Sequence, residues 1–502
     1  MSWLVVAPVA LPLAAAAIAF AASGRVALQR AVSTVASGAL LVLSVLLLVE
    51  VSRSGVQVMQ GGGWQAPFGV SLVADHLSAI MVAVGAAMAF AVAIYALRDI
   101  DPHRESLGYH PLFQVLLAGI NGAFLTGDLF NLYVWFEVLL IASFVLLTLG
   151  NRRDQLEGGL KYVATNLVSS MLLLAAIGLT YGATGTLNMA DLAGALREVP
   201  PELATALAML FLIAFGIKAA VFPLFFWLPA SYHTPPVSVS AIFAAMLTKV
   251  GVYALIRAFT LLFAHDVAYT HQVLLWIAGF TMVTGVLGAA AQNEFRKILS
   301  FHIVSQIGYM IMGLALATPL ALAGAIYFVI HNIVAKGNLF LVSGLAQRVG
   351  GSFELAKLGG LYRHTPLLGV LFLIPAFSLG GFPPLSGFWA KLLVVLAGIE
   401  AQSYWIVAIA LAVGLLTIYS MTKIWQAAFW SPLPEGRTLG PRPPWAMVAP
   451  VVGLAVLTLV LGIWIAPFFA LMEAAATELL DPTVYVGAVL GDAAAAALEA
   501  VR

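Results

Sequence analysis

Long runs of apolar residues, separated by short polar segments, recur along almost the whole chain of 502 residues. Runs of about 17–25 mainly apolar residues have the length of helices that cross a lipid bilayer. They lie at 3–22, 32–51, 77–97, 111–127, 128–149, 160–182, 203–227, 237–262, 272–291, 298–316, 319–345, 366–398, 405–429 and 446–470. The pattern therefore predicts an all-α integral membrane protein with about fourteen transmembrane helices. Only Thr126, Gly127 and Asp128 mark a tight turn at the boundary of the fourth and fifth runs.

The basic residues between the runs indicate the orientation of these spans. With the N-terminus outside, the inner connections hold fourteen lysines and arginines and the outer ones hold four. The inner residues are Arg25, Arg30, Arg98, Arg104, Arg152, Arg153, Lys161, Arg296, Lys297, Arg348, Lys357, Arg363, Arg437 and Arg442, and the outer ones are Arg53, Arg197, Arg257 and Arg502. Because positive charge marks the cytoplasmic side, we predict a multi-pass protein of the bacterial cytoplasmic membrane with both termini outside. The first run lacks a basic n-region, so we expect a retained span rather than a cleaved signal.

Two of the runs contain helix breakers beside a lysine. Pro223 follows Lys218 in the seventh run, and Gly380-Gly381-Phe382-Pro383-Pro384 precedes Lys391 in the twelfth. Such backbone is tolerated inside a bilayer only where it is buried in protein or lines a wet cavity. Interrupted spans in corresponding positions are typical of inverted-repeat transporters whose site lies at the breaks.

We therefore predict two inverted five-helix repeats, with broken helices at spans 7 and 12. Residues 111–262 would form the first repeat (spans 4–8), and residues 272–429 the second (spans 9–13). Residues 1–110 would hold helices 1–3 and an outer hairpin within 55–75, where a glycine cluster precedes alternating residues. Residues 430–502 would hold the last helix and a tail, which is either an interfacial or partner-contacting helix or a loosely ordered segment.

Composition agrees with the membrane assignment and excludes several functions. The chain is 62% hydrophobic and 9% charged, with mean hydropathy +1.02, whereas soluble domains carry about 25% charged residues. A net charge of +1 without a basic run gives no indication of nucleic-acid binding. The absence of cysteine excludes disulfides, cysteine-ligated iron–sulfur clusters and c-type haem attachment. We expect no cofactor, and no carboxylate cluster in the sequence predicts a Na⁺ site.

Six ionisable side chains lie inside the apolar runs: Glu137, Lys218, Lys249, Lys336, Lys391 and Lys423. Each costs about 2.5–3.5 kcal/mol at mid-bilayer unless it faces other polar groups or water. Such residues usually mark ion or proton paths. We therefore predict a charge relay within the membrane.

Glu137 and Lys218 form the proposed entry to this relay. Glu137 lies about 14 Å into its helix at 1.5 Å per residue, near the bilayer midplane. A lysine that alternates between a carboxylate partner and an isolated position can load and release a proton, so we predict a switchable pair. A permanently closed ion pair is the alternative. Lys249, twelve residues into the next span, would take the proton onward.

His331, Lys336 and Lys391 would continue the path. His331 and Lys336 are five residues apart, about 140° around an ideal helix, and a π-bulge would bring them closer. His331 could instead be a satisfied core residue. Lys391 lies two turns beyond Pro384 and is the expected exit group at the second break.

The remaining polar residues are weaker candidates. Lys423 lies near the inner end of its span, where snorkelling to the interface is the favoured interpretation. Asp128 and His233, with Lys423, are secondary candidates for the site. Asp75, His76 and His302 are expected at span ends, mostly as caps or surface groups, and Asp128 could also orient a partner lysine or a subunit contact.

Several stretches resemble the D subunits of Mrp-type cation/proton antiporters. They are Gly127–Val138, Phe215–Lys218 with the following residues to Pro229, Ser231–Pro236, Thr248–Tyr253, His331-Asn332 with Lys336-Gly337, and Gly381–Pro384 with the residues to Lys391. The resemblance covers essentially the whole chain and extends more loosely to the antiporter-like subunits of respiratory complex I. It implies a subunit of a hetero-oligomeric antiporter that exchanges Na⁺ or K⁺ for H⁺ with other Mrp subunits. The relay Glu137, Lys218, Lys249, His331, Lys336 and Lys391 would then be its lateral proton path.

The residues leave two other functions open. A proton-pumping membrane subunit of complex I or of a membrane-bound hydrogenase would share the relay, and neighbouring genes would separate it from an antiporter. A self-sufficient carrier of an organic solute predicts a roomy central pocket, against which the six buried charges argue. Secondary transport rather than enzymatic catalysis is our expectation.

Overall fold

The computed structural model describes residues 3–264 and 266–500, and these are almost entirely helical. The first half contains α1 (Trp3–Ala21), α2 (Val26–Ser54), α3 (His76–Asp99), α4 (Pro102–Ser106), α5 (Tyr109–Leu125), α6 (Leu129–Thr148), α7 (Arg153–Thr184), α8 (Met189–Ala195), α9 (Pro201–Ala219), α10 (Trp227–Ser231), α11 (Val237–Ile242) and α12 (Thr248–Arg257). One π-helical turn, Phe243–Leu247, joins α11 to α12, and another, Ala258–Leu262, follows α12. Together these segments form one continuous span, Val237–Leu262.

The second half is also almost entirely helical. It contains α13 (Val267–Ala291), α14 (Phe295–Leu316), α15 (Pro319–Gly350), α16 (Leu361–His364), α17 (Pro366–Gly380), α18 (Ser386–Glu400), α19 (Tyr404–Ile424), α20 (Trp445–Ile463), α21 (Ile465–Leu480), α22 (Pro482–Leu490) and α23 (Asp492–Ala500). A π-helical turn at Trp425–Trp430 extends α19. Short 3-10 turns lie at Leu355–Lys357 and, in the first half, at Gly61–Gly63.

The predicted spans correspond closely to these helices. Among the described residues, twelve helices are long and apolar enough to cross a membrane. The predicted fourth span is α5, which has 17 residues. The predicted twelfth span is divided between α17 and α18. The all-α membrane fold is confirmed, whereas the count of fourteen crossings stays a prediction.

Both predicted helix breaks are present. α9 ends where Ala220 takes a left-handed conformation with φ 60°, and α10 begins only at Trp227. α17 ends where Gly381 takes φ 91°, and α18 begins at Ser386. Glycine adopts this conformation without the steric cost that Ala220 bears.

The two halves of the chain share a local feature that encloses two helices in each half, α6 and α7 in the first and α14 and α15 in the second. Asp128 pairs with Asn188, and Glu294 pairs with Glu354, in isolated antiparallel bridges that each join residues 60 positions apart. Asp128 also caps α6 by accepting from the Asn131 amide at 2.8 Å. Glu294 caps α14 in the same way through the Lys297 amide at 2.6 Å.

Three spans form the centre of the molecule. In Val237–Leu262 and in α15, an apolar stretch of 18 residues is completely buried, and in α14 94% of such a stretch is buried. By contrast, only 33% of the corresponding stretch of α2 is buried. Polar side chains on the three central spans are therefore kept from lipid by this chain itself.

The predicted hairpin and the tail are both ordered. Strands β1 (Gln57–Gln60) and β2 (Ser71–Ala74) pair in antiparallel register. In the tail, α21 contributes Glu478, which pairs with His76 at 2.7 Å. Arg197 donates to the Leu498 carbonyl at 3.2 Å. The tail thus packs as three helices against the body, and its last residue, Arg502, lies outside the described residues.

Arg257 and Asp75 correct the picture of the outer connections. Arg257, expected in a solvent-facing connection, is instead a buried residue of α12 and pairs with Asp75 at 2.5 Å. Asp75 caps α3 through the Ser78 amide, as expected of a cap, but it is buried rather than at the surface. The guanidinium also lies over the rings of Tyr253 and Tyr485, so hairpin, central span and tail meet at this pair.

Candidate ion pathway between two helix breaks

Lys218 occupies the last turn of α9, directly before the first break. Its side chain is buried, and Nζ donates to Ser170 Oγ of α7 at 2.9 Å. The ammonium also lies 5.2 Å from the centre of the Phe136 ring. A cation at the C-terminal end of a helix is favoured by the unpaired carbonyls there. The break therefore helps to hold a charge that lipid alone would exclude.

Glu137 lies beside Phe136 on α6 and is only half-buried. Its carboxylate interacts electrostatically with Lys218. Among the described residues, however, no ion pair within 4.0 Å joins the two side chains, and Glu137 Oε1 has no hydrogen-bond partner. The predicted pair is thus neighbouring but open in this structure, unlike a closed ion pair.

Lys249 lies on the central span just after its first π-helical turn. It is completely buried, and Nζ donates to the Ala244 carbonyl at 2.7 Å. Two residues further on, a Cβ atom at Gly251 would lie 2.5 Å from the Ala219 nitrogen. The glycine therefore lets α12 pack directly on the end of α9, which places Lys249 next to the first break.

Lys336 connects this region with the second half of the molecule. It is completely buried on α15, and no described group accepts a hydrogen bond from Nζ. Its charge interacts with those of Lys249 and Lys391. The adjacent Gly337 approaches the first π-helical turn, since a Cβ atom there would lie 3.5 Å from Ala245 Cβ.

His331 lies at the second break, within a group of serines. Its Nδ1 lies 2.9 Å from Ser386 Oγ and 3.4 Å from Ser378 Oγ, and the two hydroxyls are 3.1 Å apart. Ser378 also accepts from the Gly387 amide at 3.1 Å, so the network joins the ends of α17 and α18. The other ring nitrogen, Nε2, is buried without a partner among the described residues. His331 therefore has one satisfied side and one side open to further hydrogen bonding.

Lys391 belongs to α18 but reaches back across the break. Its Nζ donates to the Gly380 carbonyl, the last residue of α17, at 3.1 Å. The Tyr309 ring lies 5.6 Å from the same nitrogen. Lys391 and Lys218 thus both lie at the C-terminal end of the first half of a broken helix, Lys218 as a residue of its last turn and Lys391 through its bond to the Gly380 carbonyl.

His302 and its neighbours are further buried polar groups beside the candidate pathway, and the sequence interpretation did not include them. His302 was expected at a span end, but it is completely buried within α14, and its environment includes the charges of Lys336 and Lys391. Both of its ring nitrogens, Ser305 Oγ and both amide atoms of Gln306 lack hydrogen-bond partners among the described residues. Positions 302, 305 and 306 share one helix face. That spacing of polar residues was the available signal.

The amides of Asn332 and Asn338 and the hydroxyl of Thr248 are further buried polar groups without a described partner. They lie on α15 and α12, on either side of Lys336 and next to Lys249. Buried polar groups of native proteins are nearly always hydrogen-bonded to protein or to ordered water. A concentration of them on the central spans therefore favours a hydrated interior.

The structure separates the secondary candidates from this path. Lys423 donates to the carbonyls of Ala290 and Gln292 at 3.1 and 2.7 Å, so it caps the end of α13 instead of snorkelling freely. Asp128 is confirmed as a helix cap. Within α15, the described backbone is a regular α-helix, so the π-bulge considered between His331 and Lys336 is absent there; π-helical turns occur instead beside Lys249.

His233 lies in the connection after the first break. Its Nδ1 lies 2.9 Å from the Pro229 carbonyl. Burial, and then the positive charges of Lys297 and Arg296, lower the pKa of His233 to about 4. The residue borders a cavity of about 420 Å³ together with Glu157 and Lys297. A neutral ring that donates from Nδ1 fits these surroundings.

No resident metal site emerges from the described residues. Across 3–264 and 266–500, no three His, Asp or Glu side chains are grouped so that they could hold a metal ion. The buried lysines likewise have no carboxylate within 4.0 Å in that part of the chain.

Fold and site together define a multi-pass membrane protein in which buried ionisable side chains extend between two interrupted helices. Residues 126–417 match the family model described as "NADH:quinone oxidoreductase/Mrp antiporter, TM". The chain belongs to this family. The match begins at the turn before α6 and ends within α19, so it includes both breaks and the whole candidate pathway.

The similarity to individual proteins covers the full length. The chain is 44% identical to the D subunit of the Na(+)/H(+) antiporter of Alkalihalophilus pseudofirmus, over 98% of this chain and 100% of the relative. Among solved structures, it is similar to a chain of the Mrp complex from Dietzia sp. DQ12-45-1b, with TM-score 0.92, 34% identity, and 98% and 100% coverage. It is also similar to a chain of respiratory complex I from Thermus thermophilus, with TM-score 0.82, 27% identity, and 95% and 99% coverage. The resemblance to Mrp D subunits is confirmed.

Proposed function

We propose that this chain is the proton-translocating D subunit of a multisubunit Na⁺(K⁺)/H⁺ antiporter of the cytoplasmic membrane. The observation that carries the proposal is the succession of buried ionisable groups between the two helix breaks. Each group lies on an element that packs against the next, from α6 through α9 and the central span Val237–Leu262 to α15 and α18. Full-length similarity to the D subunit of a Na(+)/H(+) antiporter supports the assignment to an antiporter.

The first step of the proposed mechanism is a change in the separation of Glu137 and Lys218. In the open arrangement, Ser170 and the Phe136 ring hold the lysine. Approach of the carboxylate would stabilise the protonated amine, and its withdrawal would favour proton release. Proton movement in this chain is thus controlled by the distance between two side chains.

The released proton would next reach Lys249 and then Lys336. The electrostatic interaction of Lys336 with Lys249 and Lys391 supports this order, because a proton on one lysine disfavours a proton on the next. His302 and the polar side chains of α14 and α15 would carry it towards His331 and Lys391. Ordered water bound by the unpaired amides and hydroxyls would complete the path.

The two-repeat organisation is part of the same proposal. The matching bridges Asp128–Asn188 and Glu294–Glu354, and the matching lysines at the breaks, support a first repeat at 111–262 and a second at 272–429. Both termini would lie outside the cell. The Na⁺ or K⁺ site would reside on, or be completed by, other subunits of the antiporter.

Cation/proton exchange in membrane vesicles that contain the full complex tests the proposal. Glu137→Ala and Lys218→Ala should each abolish or strongly reduce exchange. Glu157→Ala and Lys161→Ala are matched controls, because this ion pair on α7 is bonded at 2.7 Å, is exposed and contains none of the buried groups of the proposed path. Normal exchange in both test variants would show that Glu137 and Lys218 have only a structural role, and it would overturn the mechanism.

A proton-pumping subunit of a redox complex is the second candidate function. It is favoured by the fold shared with a chain of respiratory complex I. Purification of the native assembly separates the two candidates by identifying the partners: other antiporter subunits in one case, and quinone-reductase or nickel–iron subunits in the other. Proton uptake driven by a Na⁺ gradient without an electron donor would support the antiporter.

A further inference from the structure

A groove of two adjoining cavities extends along one half of α2, outside the proposed proton path. Its mouth is a cavity of about 480 Å³ bordered by Ser52, Arg53 and His76 and by one side of α21. The groove continues as a second cavity of about 270 Å³, whose lining side chains are all apolar. Leu48 and Leu471 border both cavities, so they form one amphipathic groove.

Arg53 supplies the unpaired charge at the mouth. It is exposed, and among the described residues it has no ion pair or side-chain hydrogen bond. The other polar groups there are already engaged: His76 with Glu478 at 2.7 Å, and Ser52 with the Leu48 carbonyl at 2.8 Å. The mouth therefore offers one free cation within the described part of the chain, which favours an anionic group.

The length of the groove corresponds to one leaflet of a bilayer. From Arg53 to Leu41, the last residue of α2 in the lining, the helix rises about 18 Å at 1.5 Å per residue. From His76 to Ala87 on α3, the rise is about 16 Å by the same measure. The hydrocarbon core of one leaflet is about 15 Å thick, half of about 30 Å. The cation thus lies at a membrane surface when the apolar end lies near the midplane.

We propose that this groove binds one anionic phospholipid of the leaflet on the Arg53 side, the outer one in the predicted orientation. Arg53 would bind the phosphate, and an acyl chain would occupy the apolar section. A transmembrane helix of another subunit fits less well, because a helix with its side chains is about 10–12 Å across and the apolar section has a volume of only about 270 Å³. A non-helical peptide would leave backbone groups unpaired against apolar walls.

The inner end of the groove gives this lipid a connection with the site. Ile330 and Val334 of α15 border the apolar section. Ile330 directly precedes His331, and Val334 lies two residues before Lys336. The bound acyl chain would therefore pack against the helix that carries two groups of the pathway. The assignment does not depend on those groups moving protons.

Native mass spectrometry of the full complex in nanodiscs of phosphatidylglycerol and phosphatidylcholine tests the proposal. Arg53→Gln removes the proposed phosphate ligand, and Val45→Trp fills the apolar section. Arg25→Gln, at the other end of α2, and Val42→Trp, on the same helix outside the lining, are matched controls. We expect each test variant to retain one phosphatidylglycerol fewer per complex than the wild type and the controls.

Equal phosphatidylglycerol retention in all variants would overturn the proposal. Loss of another subunit from Val45→Trp, with lipid retention unchanged, would also overturn it and identify the groove as a protein interface. Equal retention of phosphatidylcholine and phosphatidylglycerol at this site would exclude recognition of the headgroup charge. Selective loss in both test variants, with intact subunit composition, would establish the lipid site.

Discussion

The two helix breaks hold their lysines in equivalent places but with different partners. At the first break, Lys218 belongs to the helix before the break, and Glu137 lies nearby on a neighbouring helix. At the second break, Lys391 belongs to the helix after it and bonds the Gly380 carbonyl. Here the neighbours are a tyrosine ring and a histidine–serine network, and no carboxylate of the described residues lies within 4.0 Å.

This difference indicates two ways of stabilising a buried amine. A mobile carboxylate can approach or withdraw, so the first break is suited to switching. The carbonyls at the end of a half-helix are fixed in place and give a weaker, constant stabilisation. We therefore expect the first break to control proton entry and the second to serve as a relay of constant affinity.

The largest expected effect comes from replacing the lysines themselves. Lys218→Met and Lys391→Met should each lower the exchange rate at least tenfold, equivalent to about 1.4 kcal/mol in the barrier. Exchange assays in vesicles with the intact complex measure this change. Glu137→Gln should resemble Lys218→Met in its effect. A normal rate in Glu137→Gln would remove the distinction between the breaks.

Steric changes at two glycines should disturb each break separately. At Gly251, a Cβ atom would lie 2.5 Å from Ala219 N, and at Gly387 it would lie 2.8 Å from His331 Cε1 and closer still to the Ser378 carbonyl. Overpacking of this kind costs about 1–3 kcal/mol, so Gly251→Ala and Gly387→Ala should lower the unfolding temperature in detergent. Gly453→Ala is the control, since no atom lies within 4 Å of its Cβ position.

Removing single hydroxyls should have intermediate effects. Ser170→Ala leaves Lys218 without its hydrogen bond, and Ser386→Ala removes the shorter of the two His331 contacts. A hydrogen bond to a charged group contributes about 1.5–3 kcal/mol and a neutral one about 0.5–1.5 kcal/mol. Unfolding free energies should therefore fall further for Ser170→Ala. The opposite order would indicate that His331 is the charged partner.

The last prediction concerns the pH dependence of stability that comes from His233, in the connection after the first break. Burial and nearby positive charges lower the pKa of His233 to about 4, so between about pH 6.5 and pH 4 the unfolded chain binds a proton that the folded chain does not. Stability should then fall with decreasing pH, by up to about 2 kcal/mol at pH 5. Thermal unfolding between about pH 5 and pH 7.5 measures this loss. His233→Gln should flatten the profile by that amount, and an unchanged slope would exclude His233 as its source.

The spans, the helix breaks and the family could be predicted from the sequence because each depends on local features of the chain. Apolar run length, proline and glycine position, and the motif around Glu137 can each be read along the chain without knowing what packs against it. The relay residues were proposed from burial in apolar runs, and their role stays a prediction. The same reasoning placed His302 and Asp75 at exposed span ends, because distance from a run's end cannot tell whether another helix covers the residue.

Partner choice was decided only by the tertiary structure. The separation of Glu137 and Lys218 and the capping role of Lys423 depend on contacts between helices more than 50 residues apart in the chain. The carbonyl that Lys391 bonds lies on the other side of a helix break. The hydrophobic pattern determines that a segment enters the membrane, since that free energy is summed residue by residue. Hydrogen bonds and charge pairs act over a few ångströms, so they are set by helix packing, which the pattern alone does not specify.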